Sequence, residues 1–305
     1  MNTTPPFIVQ PLPEPVPLAS ALRAALPGFR HVDWVHRTGS TNADLMQLAR
    51  SQTHPPRPWL LGAYLQDSGR GRAGRTWQNR EGANLMFSCA FDVFLPARSL
   101  AAVSPLVGVA TCEALRGLLE PVNRRLMTLK WPNDLQWKFS KLAGILVEAT
   151  RSGAVRHTPD HHVIIVGLGL NLQDARALST SLNRAVADWS EIAAFDKDAR
   201  RADIPTMIAR IVRAWTEAMA ALVRDGLQGF PERYAAVDHL AGQHIDVLDN
   251  GDILYSGIAC GVNEYGQLLV KTTRGVMPVS VGEISVRPWI ADRNVAGSIS
   301  GEKTP

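Results

Sequence analysis

The stretch Gln66–Trp77, QDSGRGRAGRTW, sets three arginines and three glycines within residues 69–75 and closes on a tryptophan. It fits two familiar phosphate-loop patterns at once. Gly69-x-Gly71-x-x-Gly74 has the spacing of a dinucleotide fingerprint, and Gly69-x-x-x-x-Gly74-Arg75-Thr76 that of a P-loop with arginine in place of lysine. Both need a helix that starts inside the motif, so that its N-terminus meets the phosphates. Here TWQNREGAN follows, with turn residues Asn79, Gly82 and Asn84 and no apolar helical period. Asp92 could stand in for a ribose-binding acid, but without the helix neither fold is specified. The residues specify a flexible cationic loop between two strands. Its glycines let backbone N–H groups turn toward one anion. Arg70, Arg72 and Arg75 can fork onto phosphate or carboxylate oxygens. Ordering such a loop costs roughly 1–2 kcal/mol per residue, so it is expected to be mobile alone and to close over its ligand. A solvated Arg/Gly turn, or a disordered RNA-binding segment, would share this composition.

A second segment, LKWPNDLQWKFSKLAGILVE (129–148), adds chemistry. Trp131-Pro132-Asn133-Asp134 follows a strand directly, and proline forces an extended turn that exposes Asp134 at a strand end. Lys141 opens the next strand, and Ala143-Gly144 leaves a bare backbone that a ligand can approach. An acid and a lysine on neighbouring strand ends, beside a cationic glycine loop, suit phosphoryl or adenylyl chemistry. Turn capping by Asp134 and a surface strand end at Lys141 are the plain alternatives.

Around these segments the hydrophobic pattern predicts a short helix at Ala19–Ala25 and strands at 31–38, 59–66 and 84–93. It predicts a helix at 40–50, capped by Ser40, Thr41 or Asn42, and another over 100–119 with Pro105 in its first turns. Strands follow at 125–131, 141–150 and 162–172, then a long amphipathic helix at 204–224 and a shorter one ending near Tyr234. From 244 to 288 short strands alternate with turns at Asn250-Gly251-Asp252, Asn263–Gly266 and Arg274-Gly275, the texture of a small antiparallel barrel. His157, His161 and His162 lie in a polar stretch with no carboxylate at ligand spacing and are expected on a surface loop rather than at a metal.

The 305 residues allow two domains. Apolar residues make up 46% and charged residues 20%, an ordinary globular balance. A net charge of +4 is too small to argue for nucleic acid by itself. Lys130, Lys138 and Lys141 are half of the lysines and fall close together, which suggests a local task. Three cysteines without C-x-x-C spacing oppose a disulfide framework or a zinc site and suit a reducing compartment. The N-terminus has no basic residue before Arg23, unlike a signal or transit peptide. The longest uncharged apolar stretch, Ser99 to Cys112, is too short to span a bilayer. A cytoplasmic protein without membrane contact is expected.

STN (40–42), GRGRAGRTW, KWPNDL, KLAGILVE and VGLGLNL, in this order and spacing, closely resemble biotin protein ligases, the biotin–[acetyl-CoA carboxylase] ligases. The likeness covers residues 31–290, including GEISVR (282–287); lipoate ligases share the fold but lack the GRGRxG loop. The resemblance implies an α+β catalytic domain similar to class II aminoacyl-tRNA synthetases, a mixed sheet with helices, at 31–237. It also implies an SH3-like C-terminal domain at 238–290, leaving 1–30 as a Pro-rich leader with a short helix and 291–305 as a flexible tail. It implies two half-reactions. Biotin and MgATP give biotinyl-5′-adenylate and pyrophosphate; a lysine of a biotin carboxyl carrier domain then attacks the adenylate and releases AMP.

By the same resemblance Ser40, Thr41, Asn42, Gln66, Gly69, Arg70, Arg72, Lys141 and Gly144 bind biotin. Ser40, Thr41 and Gln66 hold the ureido ring, and Arg70 and Arg72 its carboxylate and the adenylate phosphate. Arg72, Arg75, Trp77, Asn84, Asn133, Lys141, Asn171 and Arg287 bind nucleotide. Trp77 with Asn84 and Asn171 forms the adenine neighbourhood, and Arg287 reaches in from the barrel. Lys141, Arg72 and Asp134 are catalytic, with Asp134 orienting and deprotonating the carrier lysine. Mg²⁺ arrives with ATP, held by phosphates and water, and no protein metal site is implied.

Some ligases of this family carry an N-terminal winged helix of about sixty residues. Only the proline-rich leader precedes His31, so a form without DNA binding is expected, and a homodimer is left open. Three alternatives remain: a nucleic-acid binder, a catalytically silent biotin-binding regulator, and a lipoate or octanoate ligase.

Overall fold

The structure is a computed structural model that describes residues 12–51, 53, 55–152, 160–249, 251–281 and 285–288. Most of the leader, His157, Asn250, part of GEISVR and the tail 291–305 lie outside them.

In chain order the elements are α1 (Pro15–Ala25), β1 (His31–Thr38), α2 (Thr41–Arg50), β2 (Trp59–Gln66), β3 (Asn84–Phe94) and α3 (Val103–Arg116). Then come β4 (Met127–Lys130), β5 (Asp134–Trp137), β6 (Ser140–Thr150), β7 (His161–Asn171), α4 (Ala175–Leu182), α5 (Trp189–Phe195) and α6 (Lys197–Arg201). The chain continues through α7 (Ile204–Asp225), α8 (Phe230–Ala235), β8 (His244–Asp249), β9 (Asp252–Val262), β10 (Leu268–Thr272), β11 (Gly275–Val279) and β12 (Ser285–Pro288). The first seven strands form one mixed sheet in the order β1-β2-β3-β7-β6-β5-β4, with β1 and β2 parallel and the other pairs antiparallel. The last five form an antiparallel sheet, β11-β10-β9-β8-β12. This is the α+β arrangement that the resemblance implies, with the small antiparallel module that the strand and turn pattern from 244 to 288 predicts.

Local chemistry explains the element ends. α1 starts four residues before the expected Ala19, at Pro15, because the first turn of a helix needs no N–H donor. Ser40 caps α2, its Oγ accepting from the Ala43 N–H at 3.5 Å. Asp203 caps α7 through the Thr206 N–H at 2.7 Å, and Gly226, at φ 68°, ends it. A short 3₁₀ turn at Ala97–Ala102 feeds α3, so Pro105 falls in the first turn as expected.

The centre of the large sheet is β7. Ile164, Val166, Leu168 and Leu170 point into the main core, where α3 and α7 pack. Trp215 of α7 is fully buried there, lies 5.5 Å from Phe87 and donates its indole N–H to Thr111 at 2.8 Å. The opposite face of β7 carries Val163 and Ile165, which form a second small core with Leu45, Ala49, Trp59 and Ala90 under α2.

Four expectations change. The WPND turn is the tight connection of a β4–β5 hairpin, so a strand begins at Asp134 itself. Helices α4–α6 were not anticipated, although Asp188 and Asp196 cap two of them. His161 and His162 open β7 and are buried, not on a surface loop, because the strand begins with them. Asp92 serves no ribose: it is bonded to His161 at 2.7 Å and to Arg57 at 2.8 Å, at the end of β3 remote from the glycine loop.

Replacing Trp215 with alanine is expected to lower the unfolding free energy by about 3–5 kcal/mol, through lost burial and the cavity left behind. Urea unfolding followed by circular dichroism measures this. A loss below about 1 kcal/mol would contradict the packing described.

Candidate active site

Period-two geometry puts Val163, Ile165, Gly167 and Gly169 on one face of β7. The first two are covered by α2, and beyond them side chains vanish. Gly144 of β6 pairs with Gly169, and Leu146 with Gly167. The glycines form the floor of a cavity of about 810 Å³. A Cβ built on Gly169 would lie 2.4 Å from the Trp77 ring, and one on Gly167 2.1 Å from Asn42 Oδ1. Glycine is therefore required here for close approach.

One end of the cavity is neutral and rich in hydrogen bonds. The α2 N-terminus brings in Ser40, Thr41 and Asn42, all buried. Thr41 donates to Gln66 Oε1 through its backbone N–H at 2.8 Å, and its hydroxyl lies 2.7 Å from Ser88 Oγ. Ser88 donates to Asn42 Oδ1 at 2.6 Å.

The other end is cationic. The glycine loop folds as a small hairpin in which Arg70 pairs with Thr76 and Gly71 N–H donates to the Arg75 carbonyl at 2.7 Å. Ala73 and Gly74 take positive φ, 51° and 67°, at its tip. Arg72 reaches Asn133 Oδ1 at 3.3 Å, and Asn133 is itself fixed by donating to the Ile145 carbonyl at 2.6 Å. Lys141 Nζ lies 2.6 Å from Asp134 Oδ1 and 5.7 Å from the centre of a Trp77 ring. Burial lowers the Arg72 pKa; Asp134 opposes the shift and Arg75 adds to it. Burial also lowers the Lys130 pKa. Asp134 again opposes this, while Lys141, Arg287 and Arg184 push it further down. The side chains of Arg75, Lys130, Arg184 and Arg287 have no ion-pair or hydrogen-bond partner among the described residues, yet all four line the cavity. Asp134 is the single carboxylate in the described lining. Among the described lining residues the cations thus outnumber the carboxylates.

The structure brings most of the expected residues together. Ser40, Thr41, Asn42, Gln66, Arg70, Arg72, Arg75, Trp77, Asn133, Asp134, Lys141, Gly144 and Arg287 all line the one cavity. Arg287 arrives from β12 of the small sheet, which docks on the large one through Trp131 Nε1 and the Gly266 carbonyl at 3.1 Å. Three expected residues stay outside the lining. Asn84 and Asn171 are buried and bonded to each other at 3.1 Å, and Asn171 also donates to the Ala187 carbonyl at 3.1 Å. They join β3, β7 and the segment before α5. Gly69 accepts from the Trp77 N–H at 2.8 Å and closes the base of the hairpin.

Sequence reasoning missed Ser88, the floor glycines 167 and 169, and Arg184. The G-x-G alternation on a strand was a readable sign of the floor. Arg184 carried none, because its position comes from the unforeseen 175–201 segment. That segment lies beside Lys141, with Ala187 N–H donating to the Lys141 carbonyl at 2.9 Å.

Among the described residues no group of three or more His, Cys, Asp or Glu could hold a metal ion, and Asp134 is engaged by Lys141. The donor set does not fit a Mg²⁺ held by the protein alone. No described helix is long and apolar enough to cross a membrane.

A mixed sheet whose glycine floor is walled by cations and closed by a small β module defines a class, and comparison with known proteins defines the family. The profile of the biotin/lipoate A/B protein ligase family matches residues 34–171, and that of the biotin protein ligase C-terminal domain matches residues 241–287. The chain belongs to the biotin protein ligase family. It is 30% identical over 225 residues to the bifunctional ligase/repressor BirA of Escherichia coli; the match covers 74% of this chain and 65% of that protein's length. It is 28% identical to the biotin–[acetyl-CoA-carboxylase] ligase of Mycobacterium tuberculosis over 88% of this chain and 93% of that one. The biotin protein ligase of Aquifex aeolicus, solved in complex with biotin and ATP, shares the fold. Its TM-score is 0.65 at 24% identity, over 85% of this chain and 99% of that one.

Gly167→Ala is expected to destabilise the protein by about 1–3 kcal/mol, since the new methyl overlaps Asn42 and the Ser88–Asn42 bond must break. Thermal unfolding reads this directly. An unchanged midpoint would show that α2 does not press on the floor as described.

Proposed function

We propose that this protein is an ATP-dependent biotin protein ligase that makes biotinyl-5′-adenylate and transfers biotin to a lysine of a biotin carboxyl carrier domain. The observation that carries this reading is the pairing, in one cavity, of a neutral, hydrogen-bonding pocket end with cations that outnumber the carboxylates of the described lining. We take residues 31–237 and 238–290 as its catalytic and C-terminal domains.

In the first half-reaction a carboxylate oxygen of biotin attacks the α-phosphorus of ATP, and the bond to the β-phosphate breaks. Two anions must meet, and fixed positive charge offsets their repulsion without reorganising at the moment of reaction. Arg70 and Arg72 act on the carboxylate and α-phosphate, and Lys141 at their junction. Arg75, Lys130, Arg184 and Arg287 face the departing pyrophosphate. Ser40, Thr41 and Gln66 offer the donors and acceptors that a ureido ring needs. The indole of Trp77, flat on the glycine floor, gives adenine a wall to stack on. Mg²⁺ carried by ATP would be held by its phosphates and water.

In the second half-reaction an amine attacks the acyl carbon and AMP leaves. The amine has an ordinary pKa near 10.4 and must shed a proton first. Asp134 is the carboxylate that can accept it, poised by Lys141. The hairpin over the cavity keeps water and stray amines from the mixed anhydride meanwhile. The match to the C-terminal domain profile favours biotin over lipoate or octanoate as the acid.

The deciding experiment is ATP–pyrophosphate exchange with biotin, lipoate or octanoate as the only acid, followed by transfer to a carrier domain. Exchange driven by biotin alone is expected, and exchange driven by another acid, or none, would overturn the proposal. Lys141→Gln should lower that exchange at least about 100-fold while leaving the fold intact. Arg72→Gly should loosen the hairpin and leak adenylate. Given biotin and ATP, that variant should label bystander proteins more than the wild type does, and equal labelling would refute its containment role.

A further inference from the structure

The strand face that carries the glycine floor continues past it to a carboxylate. Gly144, Leu146 and Glu148 share one face of β6, and Glu148 pairs with Ile165, where α2 covers the sheet. Leu146 still lines the main cavity, but Glu148 does not. It borders an adjoining groove against α2. There Glu148 has two partners: its Oε2 accepts from Asn42 Nδ2 at 2.9 Å, and its Oε1 holds Arg70 Nη2. The Glu148 side chain is 23% exposed and that of Arg70 46%.

Glu148 therefore links Arg70 to a chain of hydrogen bonds. From Arg70 it runs through Glu148 to Asn42, then to Ser88 at 2.6 Å and to the Thr41 hydroxyl at 2.7 Å, and the Thr41 backbone N–H donates to Gln66 at 2.8 Å. One end of the chain is a loop arginine, and the other is the neutral pocket end. Arg70 is tied to a group outside the main cavity.

We infer that Glu148 is a positioning residue that competes with the substrate's carboxylate for Arg70, and so sets how readily the hairpin closes on an acid. The inference rests on the proposed function, in which an acid's carboxylate lies beneath Arg70. For that acid to gain Arg70, one carboxylate must replace another, so the net attraction is only the difference between them. Glu148 keeps its bond to Asn42 throughout. The exchange also confers selectivity. A small carboxylate has nothing to offer but its charge and does not displace Glu148. An acid anchored at Thr41 and Gln66 as well brings its carboxylate to Arg70 at high effective concentration.

Glu148→Gln tests this, because glutamine keeps an oxygen for Asn42 but presents no charge to Arg70. Biotin binding is measured by calorimetry on the full chain, alongside biotinol, the neutral alcohol without the carboxylate. The variant should bind biotin about threefold to tenfold more tightly than the wild type, the size of a partly exposed ion pair. Its affinity for biotinol should not change. In an Arg70→Ala background the same substitution should have no effect, as a coupled pair requires. Equal or weaker biotin binding by Glu148→Gln would overturn the inference. So would tightening that extends to biotinol or persists without Arg70, since a merely structural role gives no such pattern. A wild-type protein that binds neither compound would instead remove the proposed function on which the inference stands.

Discussion

The pairing of Gly144 with Gly169 across β6 and β7 is the constraint on which the rest of the site depends. It removes side chains from one face of a sheet whose other face is fully packed. The Trp77 ring can lie on the backbone only because no Cβ intervenes. The floor in turn fixes where the hairpin of residues 69–75 can rest and how near Lys141 comes to Asp134. The β7 pattern therefore does two jobs with one period-two alternation. Its even positions build the core, while its odd positions first carry α2 and then open the cavity.

Charge follows from that geometry. Among the described residues, Arg72, Arg75, Lys130, Lys141, Arg184 and Arg287 gather around a single carboxylate, which is unfavourable in itself; burial is the main cause of the lowered pKa of Arg72 and Lys130, and neighbouring cations add to it. A folded chain keeps such repulsion where an anionic ligand relieves it. Burial makes the cluster effective, because a half-dry wall screens charge less than water does. Arg37 and Asp67 make an exposed pair just before the loop, at 2.8 Å, and add little beyond anchoring its root.

Much of this was legible in the sequence, for physical reasons. The apolar runs on either side of QDSGRGRAGRTW read as strands, and the absence of a helical period after Trp77 excluded the two familiar phosphate folds. Asp134 was legible because Pro132 fixes the turn just before it, and Lys141 because it lies at the start of the next strand. The resemblance grouped Asn84 and Asn171 with adenine, whereas the structure bonds them to each other behind the cavity wall. Asn side chains satisfy buried backbone as readily as they bind ligands, and a sequence does not separate the two uses. His161 and Asp92 show the same limit, since their contact spans 69 residues and only the β3–β7 register creates it. Arg184 and Glu148 were invisible for a related reason. One sits on a segment of short, weakly patterned helices, and the other looks like the ordinary polar residue of a strand.

The central claim is that the arginine hairpin lies over a newly joined carboxylate and phosphate and offsets the charge of both. A crystal structure with biotin and a non-hydrolysable ATP analogue tests it most directly. The account predicts guanidinium nitrogens of Arg72 within about 3 Å of the biotin carboxylate and the α-phosphate, with the backbone of residues 69–75 closed above them. A structure with both ligands in the cavity and that hairpin turned away from each would contradict it.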